Sequence, residues 1–200
     1  MVKTRGPKPR RSATKRIAKR APAKSGRVHL YVGISLDGYI AAPDGGVDWL
    51  NPYADARSGF MPFIKTIGSI VMGRTTYDAA QERGGYASFG KMPTFVVTHR
   101  PLTSKSPLVI PYTGDLSSLV EDIREKYPGD IWLMGGGGVT KSFQDADLID
   151  IWSVAFVPTF LSDGLLMFPR SLFKERRLSL VRHHIYPSGV VELTYERKSS

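Results

Sequence analysis

The stretch richest in potential chemistry is Ile131-Trp132-Leu133-Met134-Gly135-Gly136-Gly137-Gly138-Val139-Thr140-Lys141. Asp130 closes a turn, and the four residues after it form a short apolar run suited to a buried strand. Beyond the glycines, Val139, Phe143 and Ala146 fall at helical intervals. A strand that breaks into consecutive glycines before a helix lets backbone N–H groups approach a ligand. The helix N-terminus adds partial positive charge, which favours phosphate. A tight turn needs only one or two of these glycines, so four in a row point to a binding loop. The loop fits neither common phosphate motif. A Walker loop needs glycine before the lysine, but Thr140 precedes Lys141. A Rossmann fingerprint needs a third glycine where Thr140 or Lys141 stands. Valine at Gly136 or Gly137 is expected to abolish phosphate binding while leaving the fold largely intact, because a β-branched residue resists positive φ and fills the cradle.

A second junction of the same kind is Ser69-Ile70-Val71-Met72 followed by Gly73-Arg74-Thr75-Thr76-Tyr77. An arginine there can pair bidentately with a phosphate, or it can be an ordinary surface residue. Other chemistries are excluded. The chain has no cysteine, so disulfides, thiolate catalysis and Cys-ligated zinc are ruled out. The four histidines lack metal-ligand spacing, and His183 and His184 on one strand would face opposite sides. No metal site is expected. No apolar run is long enough to span a bilayer.

The elements that must position these junctions alternate. Strand-like runs begin at Val28, Ser69 and Pro93, with a short fourth at residues 108–110; the glycine strand and residues 148–156 follow. Helical patterns cover residues 60–66, the stretch after Gly73, residues 116–123 with Asp115 or Ser117 as cap, and the stretch after the glycines. Two final strands, 178–185 and 190–195, read as antiparallel about Pro187-Ser188-Gly189. Strands alternating with helices, then a run of strands, predict an α/β sheet with an antiparallel C-terminal edge. The net charge of +10 belongs to one segment. Residues 1–27 hold eleven Lys or Arg and no acid, which leaves 17 basic against 18 acidic residues and a net charge of −1 for 28–200. The segment 1–27 reads as a disordered basic tail, suited to non-specific contact with polyanions or nucleic acid. The rest reads as one domain, 28–200.

The order and spacing of Met72-Gly73-Arg74-Thr75-Thr76-Tyr77, Phe95-Val96-Val97-Thr98, Met134-Gly135-Gly136-Gly137 and Leu165-Leu166-Met167-Phe168-Pro169 resemble the dihydrofolate-reductase superfamily. Ser35-Leu36-Asp37-Gly38 and Asp48-Trp49 resemble one branch of it, the reductase domain of bifunctional riboflavin-biosynthesis deaminase-reductases and its stand-alone bacterial relatives. The resemblance implies an eight-stranded, mostly parallel sheet with helices on both faces. It also implies an NADPH-dependent oxidoreductase, pictured as a cytoplasmic homodimer acting on a small molecule and not on a membrane. Carried over residue by residue, Met134, Gly135, Gly136, Gly137, Gly138, Val139 and Thr140 would lie along the pyrophosphate and nicotinamide. Gly73, Arg74, Thr75 and Thr76 would hold the adenosine side, with Thr98, His99 and Arg100 at the adenine end. Val32, Gly33 and Ile40 would wall the nicotinamide, and Ile34, Ser35 and Trp49 would face the substrate.

The chain also departs from the family. Dihydrofolate reductase grips its pteridine with a carboxylate on the helix before the Gly73 strand, and residues 60–68 hold no acid. The riboflavin-pathway reductases carry a lysine where Tyr31 stands and an acid where Met134 stands. The reading is therefore hydride transfer to a C=O or C=N of a small heterocycle such as a pteridine or ribosylaminopyrimidine, and not classical dihydrofolate reduction. The proton would come from Asp37 or Asp48, the acids near the implied mouth. Asp37 alternatively stabilises its own turn, and Trp49 alternatively belongs to the core. Other readings are a non-catalytic nucleotide-binding protein of the same fold, and a nucleic-acid-associated protein acting through the tail.

Overall fold

The computed structural model describes residues 26–84, 91–104, 106–169 and 174–198; the expected tail up to residue 25 lies outside them. In chain order the elements are β1 (Val28–Ser35), β2 (Tyr39–Ala41), a 3-10 segment (Asp48–Gly59), α1 (Phe60–Ile64), β3 (Ile67–Gly73) and α2 (Arg74–Glu82). Then come β4 (Thr94–Val97), β5 (Val109–Tyr112), α3 (Leu116–Lys126), β6 (Asp130–Gly135) and α4 (Gly137–Asp145). The chain ends through β7 (Ile151–Val157), β8 (Leu165–Leu166), β9 (Leu178–Ile185) and β10 (Val191–Arg197).

Eight strands form one sheet in the order β5-β4-β3-β6-β1-β7-β10-β9, and β2 pairs separately with β8. The neighbours from β5 to β7 are parallel, whereas β10 is antiparallel to both β7 and β9. The parallel strands are nearly continuous apolar runs because helices cover both faces. On one face, Leu30, Leu133 and Val154 pack against Leu119, Ile123 and Phe143 from α3 and α4. On the other, Ile70, Met72 and Trp132 pack with Phe63 of α1 and Tyr77 of α2. Asp115 caps α3 by accepting the Ser118 N–H at 2.8 Å. The turn between β9 and β10 is the one expected, with Gly189 at a φ of +87°.

Two boundaries differ from the sequence reading. Gly26 and Arg27 belong to the fold and not to the tail: the Arg27 N–H donates to Asp130 Oδ1 (3.0 Å) and its guanidinium pairs with Glu196 (3.0 Å). Residues 48–59, to which the sequence pattern assigns no helix or strand, form a 3-10 segment kinked at Tyr53. It is pinned by Asp55, which accepts the Ser188 N–H at 2.9 Å, and by Tyr53 Oη bonded to Thr159 Oγ1 at 2.8 Å. Both partners lie far along the sequence, beyond the reach of local pattern.

Candidate functional site

β3 and β6 are parallel neighbours, and each ends in glycine, with a helix following at once after Gly73 and, after Gly135, one glycine later. Gly73 precedes α2 and Gly136 precedes α4, and neither helix start has a side-chain cap. The first N–H groups of a helix have no partner within it, so each start presents donors and partial positive charge. The two starts are tied together: the Gly136 N–H donates to Thr76 Oγ1 at 2.9 Å, and a side chain at Gly73 would lie 3.6 Å from Val139. They meet where the chain, having run outward through β3, β4 and β5, returns to lay β6 between β3 and β1. Ligands of open parallel sheets bind at such reversals, outside the carboxyl ends of the strands.

The glycines of this rim are not equivalent. Gly135 sits at a φ of +99°, a conformation that favours glycine. A Cβ at Gly137 would run into the Leu166 carbonyl oxygen, so this glycine serves a packing contact between β8 and α4. The expectation that valine there spares the fold is thereby corrected. Gly138 is exposed, and a Cβ there would meet nothing within 4 Å. Beneath the turn, Thr140 is wholly buried and its Oγ1 has no hydrogen-bond partner among the described residues. Val139 is also buried, so these two shape the turn from below.

On the outer side the expected cations come together. Arg74 Nε donates to Asp78 Oδ1 at 2.7 Å and Nη1 to the Pro101 carbonyl at 2.7 Å, while Arg100 Nη2 lies 3.6 Å from Asp78 Oδ2. Asp78, missed in the sequence, braces both arginines at i, i+4 and across the loop after β4. Thr98 is buried, and its Oγ1 accepts the Arg100 N–H at 3.0 Å, so it shapes that loop. His99 and Thr75 are exposed at the same edge.

Beside the rim lies a cleft of about 270 Å³, lined by Tyr31, Gly33, Leu50, Asn51, Arg57 and Phe60 among others. Gly33 follows Leu30 by three residues as Gly136 follows Leu133, and Leu30 pairs with Leu133, so cleft and rim share one carboxyl edge. No Asp or Glu is among the described residues lining it. An acid stands behind it instead. Glu192 on β10 is 3 % exposed and accepts from Tyr31 Oη (2.8 Å), Tyr186 Oη (3.1 Å) and Arg182 Nη2 (2.9 Å). Burial first, then the Glu192 carboxylate, push the Tyr31 phenol well above its ordinary range and the Tyr186 phenol up to about 12. The polar chain continues along the sheet. Arg182 also reaches Thr194 (3.5 Å), which bonds Ser153 (2.9 Å), which bonds His29 Nε2 (2.8 Å). Burial, then Arg27 and Arg182, hold His29 down to about 3.

Several expected substrate contacts fall elsewhere. Asp37 is an anchor: it accepts from Ser35 Oγ (2.6 Å), Ser162 N (2.8 Å) and Leu161 N (3.2 Å). Desolvation pushes its pKa up, but the bonds from Ser35, Ser162 and Leu161 prevail and leave it below the usual carboxylate range. A carboxylate held this way is a poor proton donor, which corrects its assignment as the acid. Ser35 is buried and also accepts the Tyr39 N–H at 2.9 Å, so it serves the turn and not a substrate. Ile34 belongs to the main core. Trp49 packs partly buried against the cluster of Val157, Tyr186 and Val190, behind the cleft wall that Val157 and Val190 help to form, and is not itself among the lining residues. Val32 and Ile40 pack on the core face opposite Gly33, and Met134 packs beside Trp132. Asp48 is exposed next to Val47, which lines the cleft.

Sheet order, reversal point and glycine rim define a dihydrofolate-reductase-like α/β domain. Within that class the chain belongs to the family of the RibD C-terminal domain, whose sequence model matches residues 27–191. It is 29% identical over 186 residues to the Bacillus subtilis uncharacterized protein YyaP, covering 86% of this chain and 95% of that one. Among solved structures it is similar to a Shewanella sp. PV-4 protein provisionally described as a riboflavin biosynthesis protein, with TM-score 0.73, 24% identity and coverage of 86% and 99%. It is also similar to Enterococcus faecalis dihydrofolate reductase, with TM-score 0.62, 19% identity and coverage of 88% and 98%. The superfamily, its branch and the fold class read from the sequence all stand.

Proposed function

We propose that the protein is an NADPH-dependent reductase that transfers a hydride to a C=O or C=N group of a small heterocycle, of the pteridine or ribosylaminopyrimidine kind. The observation that carries this reading is the convergence of two uncapped helix starts at the carboxyl edge of β3 and β6, beside the cleft. The family membership and the E. faecalis structure, which is a complex with NADP(H), support it.

The residues present fit the coenzyme. The first turn of α4 offers N–H groups to the pyrophosphate over the open side of Gly138, and the Gly73–Thr76 corner offers the adenosine side. Arg74 and Arg100, braced by Asp78, suit a 2′-phosphate, for which planar cationic forks are favourable. Gly33 leaves room for the nicotinamide against the cleft. When bound, NADPH supplies the hydride. The chain's own part is to orient the ring, line the cleft with apolar side chains that exclude water, and give the proton a route. Asp48 at the mouth takes the role of acid, since Asp37 is committed to its loop. One observation favours a non-catalytic binder instead: no acid lines the cleft among the described residues. Calorimetry with NADPH, followed by absorbance assays on pteridines, flavin precursors and simple carbonyls, tests both. Binding with turnover supports the reductase, binding without turnover supports the binder, and no binding removes both.

A further inference from the structure

No acid is among the described residues lining the cleft, yet one of its polar groups, the Tyr31 phenol, is wired to one. Tyr31 Oη donates to Glu192 Oε2 at 2.8 Å, and a carboxylate can only accept, so the phenol proton is committed away from any ligand. The other two bonds to Glu192, from Tyr186 and Arg182, hold the carboxylate in place. The ring is fixed as well, with Phe63 stacked on it at 4.3 Å and Phe60 edge-on at 5.9 Å. Gly59 completes the arrangement. A Cβ there would run into Tyr186 Oη and lie 3.3 Å from Tyr31 Oη, so only glycine lets the backbone pass this close. What Tyr31 has left to offer a ligand is a lone pair, polarised by the carboxylate behind it.

From this geometry we propose that Tyr31 is a specificity-determining acceptor, through which Glu192 selects heterocycles that present an N–H donor, a lactam N–H or an exocyclic amino group, to the cleft. The proposal rests on reading the cleft as the substrate site, and not on the coenzyme. It gives a job to the acid that α1 lacks: the carboxylate comes from β10 and acts through a neutral phenol. At Tyr31 a ligand edge carrying only acceptors meets a lone pair and is disfavoured, while a neutral amino heterocycle is accepted without having to be a cation. Burial and Glu192 both keep Tyr31 protonated, which preserves this polarity.

The test uses the full chain without coenzyme and two probes, 2,4-diaminopyrimidine and unsubstituted pyrimidine, titrated by NMR at a pH that keeps both rings neutral. The parent is expected to bind the diamino ring at least about ten-fold more tightly, and Tyr31→Phe to lose that preference, with the diamino ring weakened and pyrimidine bound no more weakly than by the parent. Glu192→Gln gives a readout that a merely structural role does not. Arg182 holds the amide oxygen, the amide N–H₂ then faces the two phenols, and Tyr31 must turn its proton into the cleft. The preference should shift toward pyrimidine, whose ring nitrogens only accept. A parent without preference, or a Tyr31→Phe or Glu192→Gln protein that keeps the parent's preference, overturns the proposal. A parent that prefers the diamino ring but binds no NADPH keeps it and removes the reductase reading.

Discussion

The glycine rim and the cleft share one edge of one sheet and are built by opposite means. The rim is main chain: two helix starts, a bond from Gly136 N–H to Thr76, and two arginines leaning on one aspartate. The cleft is side chain: Tyr31 and Glu192 are 161 residues apart in sequence, and the bonds behind them run on to His29. Backbone donors do not titrate in the working pH range and keep their direction when outward-facing residues change. Buried side-chain networks are satisfied only as a whole. The open side of the rim, at Gly138, should therefore lose ligand when altered and keep its fold, whereas Gly137, packed on Leu166, should couple to stability and the cleft to both stability and pH.

The largest effect expected from this contrast is on pH. His29 is held down to about 3 in the fold, against 6.5 for the free side chain, so the unfolded chain takes up a proton that the folded one refuses. Its contribution is complete above about pH 6.5 and is lost as pH falls toward 3, on the order of 5 kcal/mol in all. Urea midpoints at a series of pH values should show this slope in the parent and a flatter one in His29→Gln. Equal slopes would detach the buried network from the acid response. Next in size is Gly137→Ala, which forces a methyl onto the Leu166 carbonyl and should cost about 1–3 kcal/mol in thermal unfolding. A Gly137→Ala protein as stable as the parent would show that the rim gives way more easily than its packing implies. The smallest is Arg74→Ala, expected to weaken NADPH about ten-fold, near 1.4 kcal/mol, with NADH scarcely changed. Equal losses in paired titrations would take the 2′-phosphate away from Arg74.

The same contrast explains what the sequence could disclose. The rim was legible because its chemistry is local: glycines next to a strand and a helix signal are adjacent letters, and the Arg74 junction repeats the pattern. Fold class followed from the alternation of runs and from the family motifs. Glu192 was hidden, because one acid between Val191 and Leu193 looks like an outward position on an alternating strand. Only the antiparallel return of β10 alongside β7 brings it to Tyr31. In the sequence Tyr31 stands out as a departure from the family's lysine and not as a functional group in its own right. Asp37 and Ser35 misled for the converse reason. Polar residues at a strand break can bind a ligand or close a turn, and their choice is set by the amides of Leu161 and Ser162, more than a hundred residues on. The Gly137 contact with Leu166 is equally non-local, so its role could not be separated from that of Gly138 by spacing alone.

The central claim, that the first turn of α4 receives a coenzyme phosphate, is tested most directly at Gly138. This residue is exposed, second in α4, and a Cβ there touches nothing within 4 Å. An aspartate at a helix N-terminus favours the helix by about 0.3–1 kcal/mol and repels a phosphate at the same place. Gly138→Asp should therefore unfold at the parent's temperature or higher, yet bind NADPH at least about ten-fold more weakly than the parent in calorimetry. A Gly138→Asp protein that binds NADPH as tightly as the parent, or a parent that binds none at roughly millimolar concentration, would contradict the account.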